Sequence, residues 1–352
     1  MQNRLTLSIF SLSHLVVDFA CFYVLMGVFS LGTGSSQLVI SGFLLYNLIA
    51  FALQVFIGIL ADKSKSAHGY FAFIGCIVVL LGVSIPASGW IQLVTCAFGN
   101  ALFHVGGGID SLVFARGRYA RSGVFISFGA LGVALGTLVG RSQLLPFGAV
   151  ALLLLACAAL IFFFCRQSKV PYRVDFDFPP AKISLPGLVI SLSVATIIIR
   201  AAVGAYTPVF ERGTTLLFVL PALSVFAGKF AGGFLADRFG ARSVVFISLL
   251  LSAPLLAFGN TQVALCCLGL FLFNVTTAVT LCVIVSQLPS NPGFSFGLTT
   301  LALFIGSSFS FFWLLPAEIR PALTVALIVV SAACLFMATP GKVIRKSNQP
   351  LR

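Results

Sequence analysis

Three titratable residues stand inside long apolar runs of this sequence, where their side chains could exchange protons. Asp18 lies near the middle of the first run, and His14 precedes it by one helical turn on the same face. His104 lies near the middle of a later run, so its depth should match that of Asp18. A carboxylate beside an imidazole in a low-dielectric interior can exchange a proton near neutral pH. The spacing predicts a proton-exchange site, and a structural hydrogen-bonded group is the alternative.

Two further polar residues share the run that holds His104. Asn100 lies one turn before His104, where we expect it to orient the imidazole or to contact a bound molecule. Asp110 follows His104 by six residues, which is about 120° around a helix, unless the glycines between them distort the helix. Asp110 therefore either joins the proton-exchange site or pairs with Arg116 or Arg118, and the sequence leaves both possibilities open.

Two basic residues also lie within apolar runs. The guanidinium of Arg200 stays charged and forks onto carboxylate, phosphate or phosphonate, so we expect it to bind an anion or to pair with an acid such as Asp18. Lys229 stands two turns before Asp237, and a lysine there can extend its amine to the membrane surface. A charge inside an apolar run is costly unless it is paired or hydrated, which makes these residues functional candidates.

Helices in a lipid bilayer must position these residues, because the composition excludes a soluble protein. Of the 352 residues, 59% are hydrophobic and only 8% are charged, whereas a soluble domain carries about 25% charged residues. Apolar runs of about 20 residues recur along the whole length, each long enough to cross about 30 Å of hydrocarbon. The sequence therefore predicts an all-α membrane protein.

Breaks at Gly, Pro, Ser and charged clusters divide the sequence into twelve apolar spans. The spans cover 5–31, 37–61, 70–88, 90–115, 122–141, 146–165, 184–210, 215–236, 242–259, 262–286, 293–315 and 320–339. The one long polar stretch between spans is 166–183. We therefore expect two six-helix bundles, 1–165 and 184–352, joined by a cytoplasmic linker at 166–183.

The basic residues indicate the orientation of the spans. Sixteen of the 21 Lys and Arg residues fall in segments on the side of the N-terminus, and three fall on the opposite side. Basic residues collect in cytoplasmic loops, so we expect both termini in the cytoplasm of a bacterium and the chain in its inner membrane. The same loops account for the net charge of +13 without a nucleic-acid partner.

A short motif occurs in both halves and carries a family resemblance. Residues 58–62, Gly-Ile-Leu-Ala-Asp, recur as Gly-Phe-Leu-Ala-Asp at 233–237, and basic residues follow each copy. This loop after the second and eighth of twelve spans resembles the major facilitator superfamily over the whole chain. The second copy matches the family loop closely, whereas Ser and Lys replace the usual glycine and basic pair in the first. The segments Ser13-His14-x-x-x-Asp18, 99–104 (GNALFH) and 106–107 (GG) look more narrowly like fosmidomycin-resistance-type exporters.

The resemblance implies a conformational latch at the two motifs. Its members in this sequence are Asp62, Lys63, Asp237, Arg238 and Arg242. We expect Asp62 to meet either the positive N-terminal end of span 11 or a basic residue of the loop between spans 4 and 5. Such contacts can form in one conformer and break in the other.

Span 5 carries four glycines that we expect to pack against another helix: Gly129, Gly132, Gly136 and Gly140. Spacing of four residues gives a flat face on which two helices can approach closely. The resemblance adds that exporters of the superfamily often have a glycine-rich fifth span, usually with a proline that is missing here.

The sequence therefore predicts a secondary active transporter, namely a proton-coupled exporter of a small organic molecule. Arg200 would suit a substrate that is an anion. A proton-coupled importer on the same fold is the alternative, and an intramembrane enzyme is the remote one. The phosphate-binding motif G-x-x-x-x-G-K-[ST] is absent, which argues against ATP as the energy source. Nine cysteines without a C-x-x-C pair and three histidines predict no metal or other cofactor. The expected partners are the substrate, protons and the lipid bilayer, with the protein as a monomer.

Overall fold

The computed structural model describes residues 2–65, 68–165, 172–174, 183–207, 215–259, 262–313 and 315–341. All regular elements in these ranges are helical, and they form twelve rods that we number in chain order. The rods are α1 (2–33), α2 (Ser36–Ser64), α3 (His68–Ser84), α4 (Gly89–Ala115), α5 (Tyr119–Ser142), α6 (Phe147–Phe164), α7 (Pro186–Tyr206), α8 (Thr215–Phe239), α9 (Ala241–Phe258), α10 (Val263–Gln287), α11 (Pro292–Phe312) and α12 (Arg320–Ala338). One π-helical turn interrupts α1 at Leu25–Phe29 and another interrupts α2 at Leu48–Ala52.

The twelve rods match the twelve spans predicted from the sequence. Ten of them, within the described residues, are long and apolar enough to cross a membrane. The apolar part of α3 is shorter, at Gly69–Ser84. The remaining rod, α4, is not among the ten and carries Asn100, His104 and Asp110 on one helix. The prediction of twelve helices is therefore confirmed.

The buried apolar side chains fall into two main clusters that follow the order of the chain. One is built mostly from α1–α6, with Phe10, Phe103 and Leu154 among its fully buried members. The other is built mostly from α7–α12, with Val245 and Leu335 at its centre. Burial of apolar surface in two clusters gives each set of six helices a core of its own.

The linker predicted at 166–183 lies largely outside the described residues. Within it, Val174 is buried and its backbone N–H donates to the carbonyl oxygen of Pro289 at 2.9 Å. This bond joins the described part of the linker to the segment between α10 and α11. The basic C-terminal segment 342–352 also lies outside the described residues.

The glycines of α5 bring that helix against α1. A side-chain carbon at Gly132 would lie within 3 Å of the Leu15 carbonyl, and one at Gly136 would lie equally close to the backbone of Phe19. At the far end of the stripe, Gly140 meets the backbone of Tyr23 in the same way. Because larger residues would not fit, these glycines allow the close helix approach expected from their spacing.

The two halves of the chain meet along two helix pairs that are related by the sequence repeat. α2 packs against α11, where Gly58 faces the backbone of Gly293. α8 packs against α5, where Gly233 faces the backbone of Tyr119. The two glycines of the repeated motif therefore have the same role in packing. Each allows the end of one helix to approach the start of a helix in the other half.

Candidate functional site

Asp18 lies between two imidazoles contributed by two helices. Its Oδ2 is 3.3 Å from Nε2 of His14, and its Oδ1 is 3.6 Å from Nε2 of His104. The two rings meet edge to face, with their centroids 4.5 Å apart. All three side chains are more than nine-tenths buried. The structure thus brings α1 and α4 together at the residues that the sequence predicted to share one depth.

The backbone fixes which nitrogen of each imidazole carries a proton. Nδ1 of His14 lies 2.9 Å from the carbonyl oxygen of Phe125, and Nδ1 of His104 lies 2.9 Å from that of Asn100. A carbonyl can only accept, so each Nδ1 donates and each Nε2 of a neutral ring is a bare acceptor. Both bare nitrogens then face the carboxylate of Asp18. Acceptors in this arrangement repel one another unless a positive charge, such as a proton, lies among them.

Asn100 has a different partner from the one expected from the sequence. Its side-chain nitrogen donates to Oδ1 of Asp18 at 2.8 Å, and the imidazole of His104 is held by the Asn100 backbone carbonyl instead. Asn100 therefore contacts the imidazole through its backbone and Asp18 through its side chain. The physical reason is that a charged carboxylate is a stronger acceptor for the amide than a neutral ring nitrogen, while the helix itself supplies a carbonyl to His104.

The glycine face of α5 closes the other side of this cluster. A side-chain carbon at Gly129 would collide with His14 Nε2 and would lie 2.6 Å from Asp18 Oδ2. The ring of Phe125 packs beside His14 with centroids 4.6 Å apart. The predicted packing glycines therefore also form a wall of the His14–Asp18–His104 cluster.

The same cluster is the one place in the described part of the chain with the spacing of a metal site. One ligand atom from each of His14, Asp18 and His104 lies within 4.8 Å of the other two. Two imidazoles with backbone-bonded Nδ1 atoms and one carboxylate are donors that divalent transition metals accept. A test of proton exchange at these residues therefore needs a chelator control.

Asp110 lies on α4 away from this cluster. Its side chain is fully buried and interacts electrostatically with Tyr172 and with Cys165, at the end of α6. The structure thus places Asp110 near the linker and outside the group formed by Asp18 and the two imidazoles. Its predicted part in proton exchange gains no support from this position.

Arg200 lies in α7 among neutral groups of α10. Its Nη2 donates to Oγ1 of Thr277 at 2.7 Å, and its Nη1 lies 3.4 Å from Oγ1 of Thr280. The guanidinium carbon is 5.5 Å from the centroid of the Phe273 ring, and Nε has no hydrogen-bond partner. The suggested ion pair with Asp18 is not formed, because the Asp18 oxygens are occupied by α1 and α4.

Lys229 lies in α8 with its side chain half-buried. Its backbone carbonyl packs on Gly123 of α5, which brings α8 close to the first half of the chain. That its amine extends to the membrane surface stays a prediction.

Asp62 caps a helix of the other half. Its two carboxylate oxygens accept hydrogen bonds from the backbone N–H groups of Gly293 and Phe294, both at 2.8 Å, at the start of α11. The hydroxyl of Tyr172 donates to Asp62 Oδ1 at 2.6 Å. Burial and this bond to a carboxylate raise the pKa of Tyr172. Of the two contacts expected for Asp62, the structure has the one at the N-terminal end of span 11.

Asp237 makes the equivalent contact from the second half to the first. Its two oxygens accept from the backbone N–H groups of Tyr119 at 3.1 Å and Ala120 at 3.0 Å, at the start of α5. Negative charge at a helix N-terminus is favoured because the unpaired N–H groups there point outwards. We call the side of the bundle that holds Asp62 and Asp237 the aspartate end. At this end the two halves are joined by two related sets of charged hydrogen bonds.

Among the described residues, the contacts of the basic residues predicted for the latch lie within one half of the chain. Arg242 donates through Nε and Nη2 to the carbonyl oxygen of Thr339, at 3.0 and 2.6 Å, within the second half. Arg238 lies over the ring of its neighbour Phe239, and Lys63 is exposed. The free carbonyl at the C-terminus of α12 is a favourable acceptor for the Arg242 guanidinium, and the part of these three residues in a latch stays a prediction.

Sequence reasoning missed the threonines that hold Arg200 and the tyrosine that holds Asp62. Thr277 and Thr280 are three residues apart, and such a pair lies on one face of a helix, but threonine is common in membrane helices. Tyr172 lies in the polar linker, where no pattern in the sequence predicts which residue it contacts. Only the folded chain brings these three hydroxyls to charged partners.

Comparisons with known proteins identify the fold. No protein-family profile matches the sequence, and no curated protein sequence matches it. Among solved structures, the chain is similar to the fucose:proton symporter of E. coli, with a TM-score of 0.68, 15% identity and coverage of 93% of this chain and 97% of that one. Another structure of that symporter is described as a major facilitator superfamily transporter in the outward conformation.

Two further structures extend the comparison. The human organic anion transporter matches with a TM-score of 0.64 and 15% identity, over 96% of this chain and 98% of that one. A bacterial homologue of the iron transporter ferroportin, in an outward-facing state, matches with a TM-score of 0.61 and 14% identity, over 96% and 97%. The chain therefore has the twelve-helix, two-repeat fold of major facilitator transporters, and that prediction is confirmed.

Proposed function

We propose that this chain is a proton-coupled secondary transporter of the major facilitator superfamily, which moves a small organic molecule by alternating access. The observation that carries the proposal is the His14–Asp18–His104 cluster. Two bare imidazole nitrogens face one carboxylate, so the buried group gains stability when it takes up a proton. A buried group that takes up and releases protons is what coupling to a proton gradient requires.

The paired contacts of Asp62 and Asp237 support alternating access. Each joins the end of one helix to the start of a helix in the other half, so separation of the halves at this end must break both. We propose that the chain is described in its outward-facing conformer, closed at the aspartate end. Two of the similar structures, those of the symporter and of the ferroportin homologue, are in outward-facing states.

The location that we propose is a bacterial inner membrane, with the aspartate end and both termini in the cytoplasm. The support is the concentration of Lys and Arg in the segments on that side. A monomer is proposed as the working unit, because both halves of the fold are present in one chain.

The proposed direction of transport rests on the sequence resemblance. The resemblance to fosmidomycin-resistance-type exporters favours export in exchange for protons, with import as the alternative. The similar structures include a fucose:proton symporter and an organic anion transporter.

We propose Arg200 as the substrate contact. Asn100, whose amide is bonded to Asp18, is proposed to position that carboxylate instead of the substrate.

Replacement of both Asp62 and Asp237 with Asn should open the aspartate end. Asn keeps the shape but loses the charge and one acceptor oxygen, and a hydrogen bond to a charged group contributes about 1.5–3 kcal/mol. Cys282 reports the change, because it is buried where its Sγ lies 3.5 Å from Ser122 Oγ of the other half. In a variant that retains Cys282 alone, we expect labelling by a water-soluble thiol reagent to accelerate by about tenfold or more, as a loss of ~1.4 kcal/mol implies.

Glu318→Gln is the matched control, because it also neutralises a carboxylate but lies exposed between α11 and α12. It should leave the labelling rate of Cys282 unchanged. Equal labelling rates in the wild-type and doubly substituted proteins would show that the two aspartates do not hold the halves together, and alternating access at this end would lose its support.

A further inference from the structure

The donor atoms of the His14–Asp18–His104 cluster are spaced as the ligands of one metal ion. Nε2 of His14 lies 3.3 Å from Asp18 Oδ2, and Nε2 of His104 lies 3.6 Å from Asp18 Oδ1. One donor from each residue lies within 4.8 Å of the other two. Around a tetrahedral zinc ion with bonds of about 2.0–2.1 Å, ligand atoms are about 3.3–3.4 Å apart. A small movement of these side chains would therefore complete three corners of a coordination sphere.

The backbone orients both imidazoles as it does in known metal sites. The Nδ1 atoms of His14 and His104 lie 2.9 Å from the carbonyl oxygens of Phe125 and Asn100, so each Nδ1 donates and each Nε2 keeps a free lone pair. Histidines that bind a metal almost always donate their other ring N–H to a carbonyl, a carboxylate or water. The side-chain amide of Asn100 donates to Asp18 Oδ1 at 2.8 Å, which fixes the carboxylate in the same way.

Two further observations point to a ligand at this cluster. A side-chain carbon at Gly129 would collide with His14 Nε2 and would lie 2.6 Å from Asp18 Oδ2, so the missing side chain leaves room beside two of the donors. The amide oxygen of Asn100 is buried and has no hydrogen-bond partner among the described residues. An unpaired buried acceptor is costly, and a water molecule bound to a metal ion here would supply the missing donor.

We propose that His14, Asp18 and His104 bind one divalent transition-metal ion through the two Nε2 atoms and the Asp18 carboxylate, with water in the fourth position. Two imidazoles, one carboxylate and one water are a ligand set of zinc sites that keep an open position. Imidazole nitrogens favour zinc, copper, iron and nickel, whereas magnesium and calcium prefer sites built from oxygen atoms. This site goes beyond the proposed function and departs from the expectation that no metal is bound.

The ion would connect helices of the first half alone. α1 supplies His14 and Asp18, one turn apart, α4 supplies His104, and the glycine face of α5 closes the site. Because none of these donors belongs to the second half, the ion would not hold the two halves together. It would occupy the atoms to which the proposed function assigns protons. A bound ion should therefore inhibit proton-driven transport, and this one consequence rests on the proposed function.

The test is metal binding by the purified full-length protein after treatment with a chelator. We expect the protein to retain one zinc ion per chain after equilibration with zinc chloride and desalting, as measured by elemental analysis. Zinc should raise the melting temperature, because a ligand that binds only the folded state stabilises it. Magnesium chloride at the same concentration should change neither reading. Cobalt(II), which accepts the same donors, should give the visible absorption of a tetrahedral ion.

The cobalt spectrum also excludes the cysteines as ligands. The chain has nine of them, and thiolate bound to cobalt adds a strong charge-transfer band in the near ultraviolet. We expect no such band. This reading needs only the wild-type protein, so it remains decisive if a substituted protein does not fold.

Histidine variants assign the ion to this cluster. His14→Gln and His104→Gln should each weaken zinc binding by more than about tenfold, since loss of an outer-shell partner alone costs about 10–100-fold. His68→Gln is the matched control, because it removes the third histidine of the chain, at the start of α3, and none of the three donors. It should bind zinc as the wild-type protein does.

Three results would overturn the inference: no zinc retained by the wild-type protein, a thiolate band in its cobalt spectrum, or wild-type affinity in His104→Gln. Failure of the proposed function is distinguishable, because metal binding is measured without a substrate or a pH gradient. A protein that binds zinc at these residues, and whose Asp18→Asn variant still transports uphill, would keep the metal site and lose the proton site.

Discussion

Asp18→Asn should reduce accumulation driven by a pH gradient to the level of empty liposomes, while exchange of substrate down its own gradient continues. Asn can still accept the Asn100 amide, so the cluster should keep its shape. What it loses is the carboxylate charge that lies between the two imidazoles. Without this charge, a proton bound at the imidazoles has no negative group to stabilise it, so we expect the cluster to stop taking up protons during the cycle.

The measurement uses proteoliposomes that contain either the wild-type or the Asp18→Asn protein, with labelled benzenesulfonate as the probe. Uptake against its gradient reports coupling, and counterflow reports the carrier itself. Glu318→Gln serves as the control for loss of an exposed carboxylate. Each assay is repeated with a chelator, since the cluster also has the spacing of a metal site. Full uphill transport by Asp18→Asn would mean that the proton is carried elsewhere and that Asp18 is structural.

Gly129→Ala should disrupt the cluster from the opposite side and abolish coupling to a similar degree. The added methyl would collide with His14 Nε2 and Asp18 Oδ2, and neither side chain can retreat because α4 lies behind them. Overpacking of this kind costs about 1–3 kcal/mol. We therefore expect both a lower melting temperature and the loss of pH-driven accumulation.

Two other glycines separate the effect on the site from the effect on packing. Gly136→Ala would collide with the backbone of Phe19 but touches no titratable group, so it should lower the melting temperature and leave the folded protein coupled. Gly148→Ala meets no atom within 4 Å and should change neither property. Coupling that survives in Gly129→Ala would contradict the assignment of the proton site to this wall.

The sequence was sufficient to predict what depends on position along a helix. Helices rise by about 1.5 Å per residue, so counting residues placed Asp18 and His104 at one depth, and the contact between them followed once α1 and α4 packed together. The contact of Asp62 with α11 was predictable for a similar reason. A carboxylate at one helix end and free N–H groups at another lie on the same side of the bundle.

What depends on rotation about a helix or on competition between partners could not be predicted. The backbone of Lys229 packs on Gly123 of α5, and a pattern within α8 alone does not reveal that contact. Arg242 donates to the carbonyl oxygen of Thr339 at the end of α12. The sequence does not show which of the possible acceptors lies nearest to this side chain in the folded chain. The partner of Asn100 was decided by acceptor strength in the folded protein.

The central claim is that protons bound at the Asp18 cluster drive the movement of a small organic molecule through the protein. Its most direct test is whether labelled benzenesulfonate moves against its own gradient in wild-type proteoliposomes under an imposed pH gradient. This sulfonate stays ionised, so passive diffusion of a neutral acid does not contribute. The account predicts accumulation that changes sides when the pH gradient is reversed, and none with Asp18→Asn. No accumulation in the wild-type protein, or equal accumulation with Asp18→Asn, would contradict it.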